Sequence, residues 1–159
     1  MNQRVGIGFD SHALVAGRPC VLGGVRIPHP TGPLGHSDGD ALLHAIADAL
    51  LGAAGLDDLG SLYPDAEGRW EGADSAVILG EVVAKIRAAG FRVVNVDAVV
   101  ATDGPKIAPH RRAIRERIAA ILGAQPREVN VKGKSLEGLT TSADVVAVHA
   151  VCLVERLER

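Results

Sequence analysis

The sequence predicts an α+β fold, a mixed β-sheet with helices on one face, in a single domain covering residues 1–159. Three observations lead there. A length of 159 residues fits one ordinary domain and leaves no room for a second full one. Apolar residues make up 47% of the chain but aromatic ones only 3%, so the core must be built from Ala, Val, Leu and Ile, with Phe9, Tyr63, Trp70 and Phe91 as the only rings of that class. Strand-like and helix-like segments follow one another without strict βαβ alternation, which suits a sheet covered on one side.

Taken in order, Arg4 to Phe9 alternates apolar residues with glycines and reads as a strand. Cys20 to Leu22 and Val25 to Ile27 are short strands around Gly23-Gly24, a two-residue hairpin turn. Pro28, Pro30, Gly32, Pro33 and Gly35 mark a long loop. Ser37, followed three residues later by Asp40, resembles a capping box that opens an Ala- and Leu-rich helix to about Ala54, closed by Gly52 and Gly55. A loop with Pro64, Asp65, Gly68 and Gly72 leads to a second helix over Asp74 to Ala89, where Val77, Ile78, Val82, Val83 and Ile86 recur at helical spacing and Gly90 supplies the stop. Phe91 to Ala101 is rich in β-branched residues and reads as a central strand. After a turn at Asp103 to Lys106, His110 to Leu122 sets Ile114, Ile118, Ile121 and Leu122 against Arg111, Arg112, Arg115 and Arg117, an amphipathic helix with a solvated arginine face. Val129 to Val131 opens a strand, Ser135 to Ser142 is a polar loop, and Ala143 to Val154 is a long Val-rich strand. Apolar strands in a chain so poor in rings call for oligomerisation to cover them.

Several functional classes are excluded by composition. A net charge of -2 with 23% charged residues is neither the signature of disorder nor a polycationic surface for nucleic acid, and four rings cannot build a base-stacking platform. No apolar run reaches the roughly 18 residues of a membrane span, and the start Met1-Asn2-Gln3-Arg4-Val5 lacks a signal-peptide apolar region, so a soluble cytoplasmic protein is expected. Cys20 and Cys152 show no CxxC spacing and fall in strand-like stretches, so they read as buried reduced thiols rather than zinc ligands.

The chemistry lies with the histidines. In Asp10-Ser11-His12 the spacing of two in extended chain points a carboxylate and an imidazole to the same side, where they can share a cation; by itself the pattern leaves open an ordinary strand-end loop. His36-Ser37-Asp38-Gly39-Asp40, with His44 four residues further on, is a second set. Asp40 and His44 share a face at a helix start whose backbone N–H groups suit phosphate. Asp10, His12 and His44 would form the set of three protein ligands with one open position that catalytic zinc prefers. Asp40 is then either the residue that orients His44 or simply a helix N-terminal charge.

These residues resemble a known family. Val5 to His12, His36 to Asp40 with His44, Asp58-Leu59-Gly60, Tyr63-Pro64-Asp65, Gly72-Ala73-Asp74-Ser75, Asn95-Val96-Asp97, Pro105-Lys106 and Val129-Asn130-Val131-Lys132 are similar, in order and spacing, to the 2-C-methyl-D-erythritol 2,4-cyclodiphosphate synthase family over nearly the whole chain. The resemblance implies metal-assisted intramolecular phosphoryl transfer in the non-mevalonate isoprenoid pathway. In it the 2-phosphate of 4-diphosphocytidyl-2-C-methyl-D-erythritol 2-phosphate attacks the β-phosphorus and expels CMP. It implies zinc or a similar divalent cation on Asp10, His12 and His44, and magnesium or manganese at the substrate diphosphate, contacted by Glu137. From the residues alone Glu137 reads as an exposed loop acid.

The resemblance further implies charge stabilisation by His36 and Ser135, and substrate contacts from Ser37, Asp58, Leu59, Gly60, Tyr63, Asp65 and Lys134. A cytidine pocket follows from the segment Thr102, Asp103, Gly104, Pro105, Lys106, Ile107 and Ala108. The implied assembly is a homotrimer with active sites between subunits. Lys134 to Asp144 departs from the family pattern, being shorter and without arginine, which leaves the family's basic residue at the central trimer cavity without a counterpart. A zinc-dependent phosphohydrolase and a non-catalytic nucleotide-binding module on the same fold are the competing readings.

Overall fold

The long strand β1 (Gln3–Ala16) is followed by the hairpin β2 (Cys20–Leu22) and β3 (Val25–Ile27), then β4 (Thr31–Pro33). The description comes from a computed structural model and covers residues 2–64, 72–138 and 144–158. Next come α1 (Ala41–Ala54), the single-turn α2 (Leu59–Leu62), α3 (Ser75–Ala88), β5 (Phe91–Thr102), α4 (Arg111–Leu122), β6 (Val129–Lys134) and β7 (Val145–Arg156). The main sheet has the order β4-β1-β7-β5-β6 and is mixed as expected: β5 and β6 run parallel across α4, and the other neighbours are antiparallel.

One face of this sheet is covered. Val146, Val148, Ala150, Cys152 and Val154 of β7 are completely buried on the side where α1, α3 and α4 pack. Both cysteines are buried free thiols, and burial pushes Cys20 up to about 11. The opposite face carries Val5, Ile7 and Phe9 at 67%, 70% and 53% exposure, beside Val151.

The first strand runs seven residues beyond its expected end at Phe9, so Asp10 and His12 lie within it rather than after it. Its glycines have a use that alternation alone does not reveal. A Cβ on Gly6 would stand 1.9 Å from the Ala49 carbonyl oxygen, and one on Gly8 1.9 Å from that of Ala45, so α1 lies directly on the strand backbone. Two residues along β1, nearly 7 Å, match four along the antiparallel α1, about 6 Å. The same step beyond Gly8 brings Asp10 to the first turn of α1, where His44 sits.

The expected helices are present: Gly55 and Gly123 end α1 and α4 at φ 73° and 67°, whereas Gly52 lies within α1 and does not close it. The helix start is corrected, however. Ser37 is not the cap of α1; Asp40 is, its Oδ1 accepting from the Leu42 and Leu43 backbone N–H groups at 3.2 and 3.0 Å. The same carboxylate accepts from Gly23 and Gly24 at 2.9 and 2.7 Å, the tip of the β2–β3 turn, whose φ of 63° and 71° suits a two-residue hairpin. Asp40 is fully buried, and burial pushes its carboxyl up to about 6 against the pull of these donors. It joins hairpin to helix and occupies the helix N-terminus expected to suit phosphate, and its carboxylate makes no hydrogen bond to the His44 ring. The arginine face is also corrected in part, because Arg115 donates to the Val129 and Pro126 carbonyls at 2.6 and 2.9 Å and ties α4 to β6.

Candidate active site

Positions 10 and 12 of β1 share the side that faces the helices, and α1 brings His44 to them from above. Asp10 Oδ2 is the meeting point, with His12 Nε2 at 3.0 Å and His44 Nδ1 at 3.1 Å. The ligand atoms of the three residues all lie within 4.8 Å of one another. Burial acts to raise the Asp10 carboxyl, but hydrogen bonds from the two imidazoles and their charges outweigh it and hold the group well below the usual carboxylate range. The hydrogen bond to Asp10 in turn raises His12 above its ordinary 6.5, against the desolvation of the ring. One carboxylate and two imidazoles converging in a half-buried site, with room on the cleft side, form a donor set that fits a divalent cation such as zinc.

The cluster opens into a cleft of about 330 Å³ lined by Asp10, His12, Leu34, Gly35, His36, Ser37, His44, Leu59, Gly60, Tyr63 and Ile78. One wall is α2, which was expected to be loop. Asp48, one turn beyond His44 on α1, accepts the Leu59 backbone N–H at 2.7 Å, and Asp58 caps α2 through Ser61 N–H at 2.9 Å. Asp58 itself stays exposed outside the cleft lining. The loop with His36 and Ser37 is tied down by Arg18, which donates to the Ser37 carbonyl at 3.0 Å, and by Gly72 N–H, which donates to that of His36 at 2.8 Å. Asp65 lies outside the described residues, as does the part of the polar loop from 139 to 143.

The other candidate residues gather elsewhere. Thr102 to Ala108 line a second cleft of about 370 Å³ together with Arg111, Gly133, Lys134 and Ser135. Asp103 organises it by accepting from Ser135 Oγ and Leu136 N–H, both at 2.9 Å, while Ser135 Oγ accepts the Glu137 N–H at 3.0 Å. The Leu136 N–H first and the Ser135 hydroxyl second lower the Asp103 carboxyl. Glu137 sits on this exposed turn at φ 53°. Asp10 pairs with Val148, Val148 with Val100 and Val100 with Gly133, so the two groups are separated by three inter-strand steps, roughly 14 Å. Within one chain, therefore, Lys134, Ser135 and Glu137 do not reach the Asp10 cluster.

Sequence reading missed Ser75 and Asp38. His44 Nε2 is 2.8 Å from Ser75 Oγ, and Ser75 Oγ is 2.5 Å from Asp38 Oδ1. Their signal lay in the motifs Gly72-Ala73-Asp74-Ser75 and His36-Ser37-Asp38-Gly39-Asp40, which carried the resemblance without a role for either residue.

The model of the YgbB family matches residues 3–155. The chain belongs to the YgbB family. Among its relatives, the 2-C-methyl-D-erythritol 2,4-cyclodiphosphate synthase of Dechloromonas aromatica (strain RCB) is 54% identical over 159 residues, covering 99% of both chains. A solved 2C-methyl-D-erythritol-2,4-cyclodiphosphate synthase in its CDP-bound form is 41% identical with a TM-score of 0.89, over 96% of this chain and all of that one. The bifunctional IspDF of Campylobacter jejuni is 37% identical with a TM-score of 0.93; it aligns with 98% of this chain, which spans 43% of the bifunctional one. The YgbB family membership agrees with the resemblance carried by the sequence motifs.

Proposed function

We propose that this protein is a 2-C-methyl-D-erythritol 2,4-cyclodiphosphate synthase, converting 4-diphosphocytidyl-2-C-methyl-D-erythritol 2-phosphate to the cyclic diphosphate and CMP. The observation that carries the reading is the convergence of Asp10, His12 and His44 within 4.8 Å at the floor of a cleft whose walls include His36, Ser37 and Gly60. An oxygen of the substrate's 2-phosphate bonds to the β-phosphorus while the bond from that phosphorus to the oxygen bridging to the α-phosphate breaks, and CMP leaves with the bridging oxygen. The nucleophile belongs to the substrate, so the protein's task is positioning and charge neutralisation.

Asp10, His12 and His44 would hold zinc or a similar divalent cation, which supplies Lewis-acid polarisation of a phosphoryl oxygen. His36 and Ser37 line the same cleft and are assigned to the phosphate and erythritol groups, together with Leu59, Gly60 and Tyr63 of its lining. Thr102 to Ala108 are assigned to cytosine, for which the turn at Gly104 and Pro105 presents backbone groups. Lys134 and Ser135 are assigned to the diphosphate, and Glu137 to the magnesium or manganese that accompanies it.

Because one chain holds these two groups apart, the reading requires a homotrimer in which the second cleft of one subunit faces the Asp10 cluster of the next. The bare sheet face with Val5, Ile7, Phe9 and Val151 supports such an assembly, since a continuous apolar surface of this kind calls for a partner. An Ile7→Asp chain is expected to stay folded by circular dichroism, to shift to monomer in multi-angle light scattering and to lose cyclic product. A cytoplasmic location is part of the proposal; among the described residues no helix is long and apolar enough to cross a membrane.

The test is incubation of the purified protein with the cytidyl substrate, zinc and magnesium, following products by mass spectrometry. CMP and the cyclic diphosphate in equal amounts are expected. A linear diphosphate would replace this reading with a metal-dependent phosphohydrolase, and no product from folded, zinc-loaded protein would defeat it.

A further inference from the structure

His44 is gripped at both ring nitrogens. Nδ1 faces Asp10 Oδ2 at 3.1 Å, and Nε2 lies 2.8 Å from the hydroxyl of Ser75, the first residue of α3, whose exposure is 1%. That hydroxyl is in turn 2.5 Å from Asp38 Oδ1, while the Ser75 backbone N–H donates to Asp38 Oδ2 at 3.1 Å. A serine hydroxyl has a single proton and a carboxylate only accepts, so at this short, charge-assisted distance the Ser75 proton goes to Asp38. Ser75 Oγ is left with lone pairs to offer His44, which makes Nε2 the donor. Ser37 Oγ, 3.4 Å from both Ser75 Oγ and His44 Nε2, is too distant to compete.

Capping does not account for the hydroxyl. Asp74 caps α3 by accepting the Ala76 N–H at 2.8 Å, and Asp38 satisfies the Ser75 N–H through its other oxygen. The buried Ser75 hydroxyl therefore serves the imidazole. We propose that Ser75 and Asp38 are positioning residues of the metal centre: they hold a ring proton of His44 on Nε2 and aim Nδ1 at the point where Asp10 and His12 converge. Relays of this type run from a carboxylate to the metal-binding imidazole, and here a serine is interposed. The inference rests on the cation reading of Asp10, His12 and His44 given above.

The test uses the full chain carrying nitrogen-15 histidine, with zinc alone as probe. In wild type a His44 Nε2–H resonance is expected and should exchange slowly with solvent, with and without zinc. Ser75→Ala is expected to keep its far-ultraviolet circular dichroism, to lose the slow exchange and to bind zinc about 10–100-fold more weakly. Ser75→Thr, which keeps the oxygen, restores both properties. A wild-type chain with no slowly exchanging proton on Nε2, or a Ser75→Ala chain that keeps slow exchange and wild-type zinc affinity, would overturn the assignment. If wild type takes up no zinc, the cation reading fails by itself, and the resonance of the metal-free protein still upholds or overturns the role of Ser75.

Discussion

A His44→Ala chain is expected to lose cyclic product by about 10³-fold and zinc affinity by more than the roughly 100-fold that loss of an outer partner costs, without unfolding. The arithmetic follows from what the side chain contacts. Its Nδ1 is one of the donors gathered around Asp10 Oδ2, and without it Asp10 and His12 face the cleft alone. Several kcal/mol of charge stabilisation at a phosphoryl oxygen corresponds to about three powers of ten in rate. The fold should persist because the His44 side chain sits at the cleft surface, 16% exposed, and alanine is the better helix former. Isothermal titration with zinc, circular dichroism and the product assay check the three parts. The zinc affinity carries a pH signature as well. Asp10 raises His12 above 6.5, so the metal-free protein holds that proton at a higher pH than an ordinary histidine would, and binding must displace it. Affinity is therefore expected to fall with decreasing pH from a point already above 6.5.

A Gly8→Ala chain is expected to be destabilised by about 3 kcal/mol and to bind zinc more weakly although no ligand is changed. The added methyl would lie 1.9 Å from Ala45 O and 2.7 Å from Ala49 N. Both atoms are helix backbone, so no rotamer change relieves the overlap and α1 must lift from β1. His44 rides on that helix, one residue before Ala45, so its Nδ1 is carried away from Asp10. Gly52→Ala, on the same helix with nothing within 4 Å of the added carbon, is the control and should stabilise by up to about 1 kcal/mol through helix propensity. Urea midpoints order the two variants, and equal midpoints would show that α1 does not depend on the glycine contact.

Local features of the fold were legible in the sequence because they are written at short range. Val-rich composition marked β7, helical spacing marked α3, and Gly23-Gly24, Gly55 and Gly123 marked the turn and two helix ends where φ is positive. The pair Asp10 and His12 was legible for the same reason, since residues two apart on a strand point the same way. Errors arose where a neighbour in sequence is not a neighbour in bonding. Asp40 is four residues from His44, yet its carboxylate is engaged by four backbone N–H groups, two of them from a hairpin 16 and 17 residues away. Ser75, which grips His44, is 31 residues from it, and the local motif around it says nothing of that contact.

By itself, then, the sequence determined the longer strands and helices, the hairpin turn and the helix stops, the candidate metal ligands and, through ordered motifs, the family. Tertiary structure decided which groups meet. It set Asp10 against His44 by resting α1 on the bare backbone of Gly6 and Gly8, withdrew Asp40 to join hairpin and helix, and carried Lys134 and Ser135 three strands away to a second cleft. The division has one physical cause. Hydrogen bonds and side-chain directions within an element repeat with its own period, whereas contacts between elements depend on how closely two backbones approach, which nothing within either segment records.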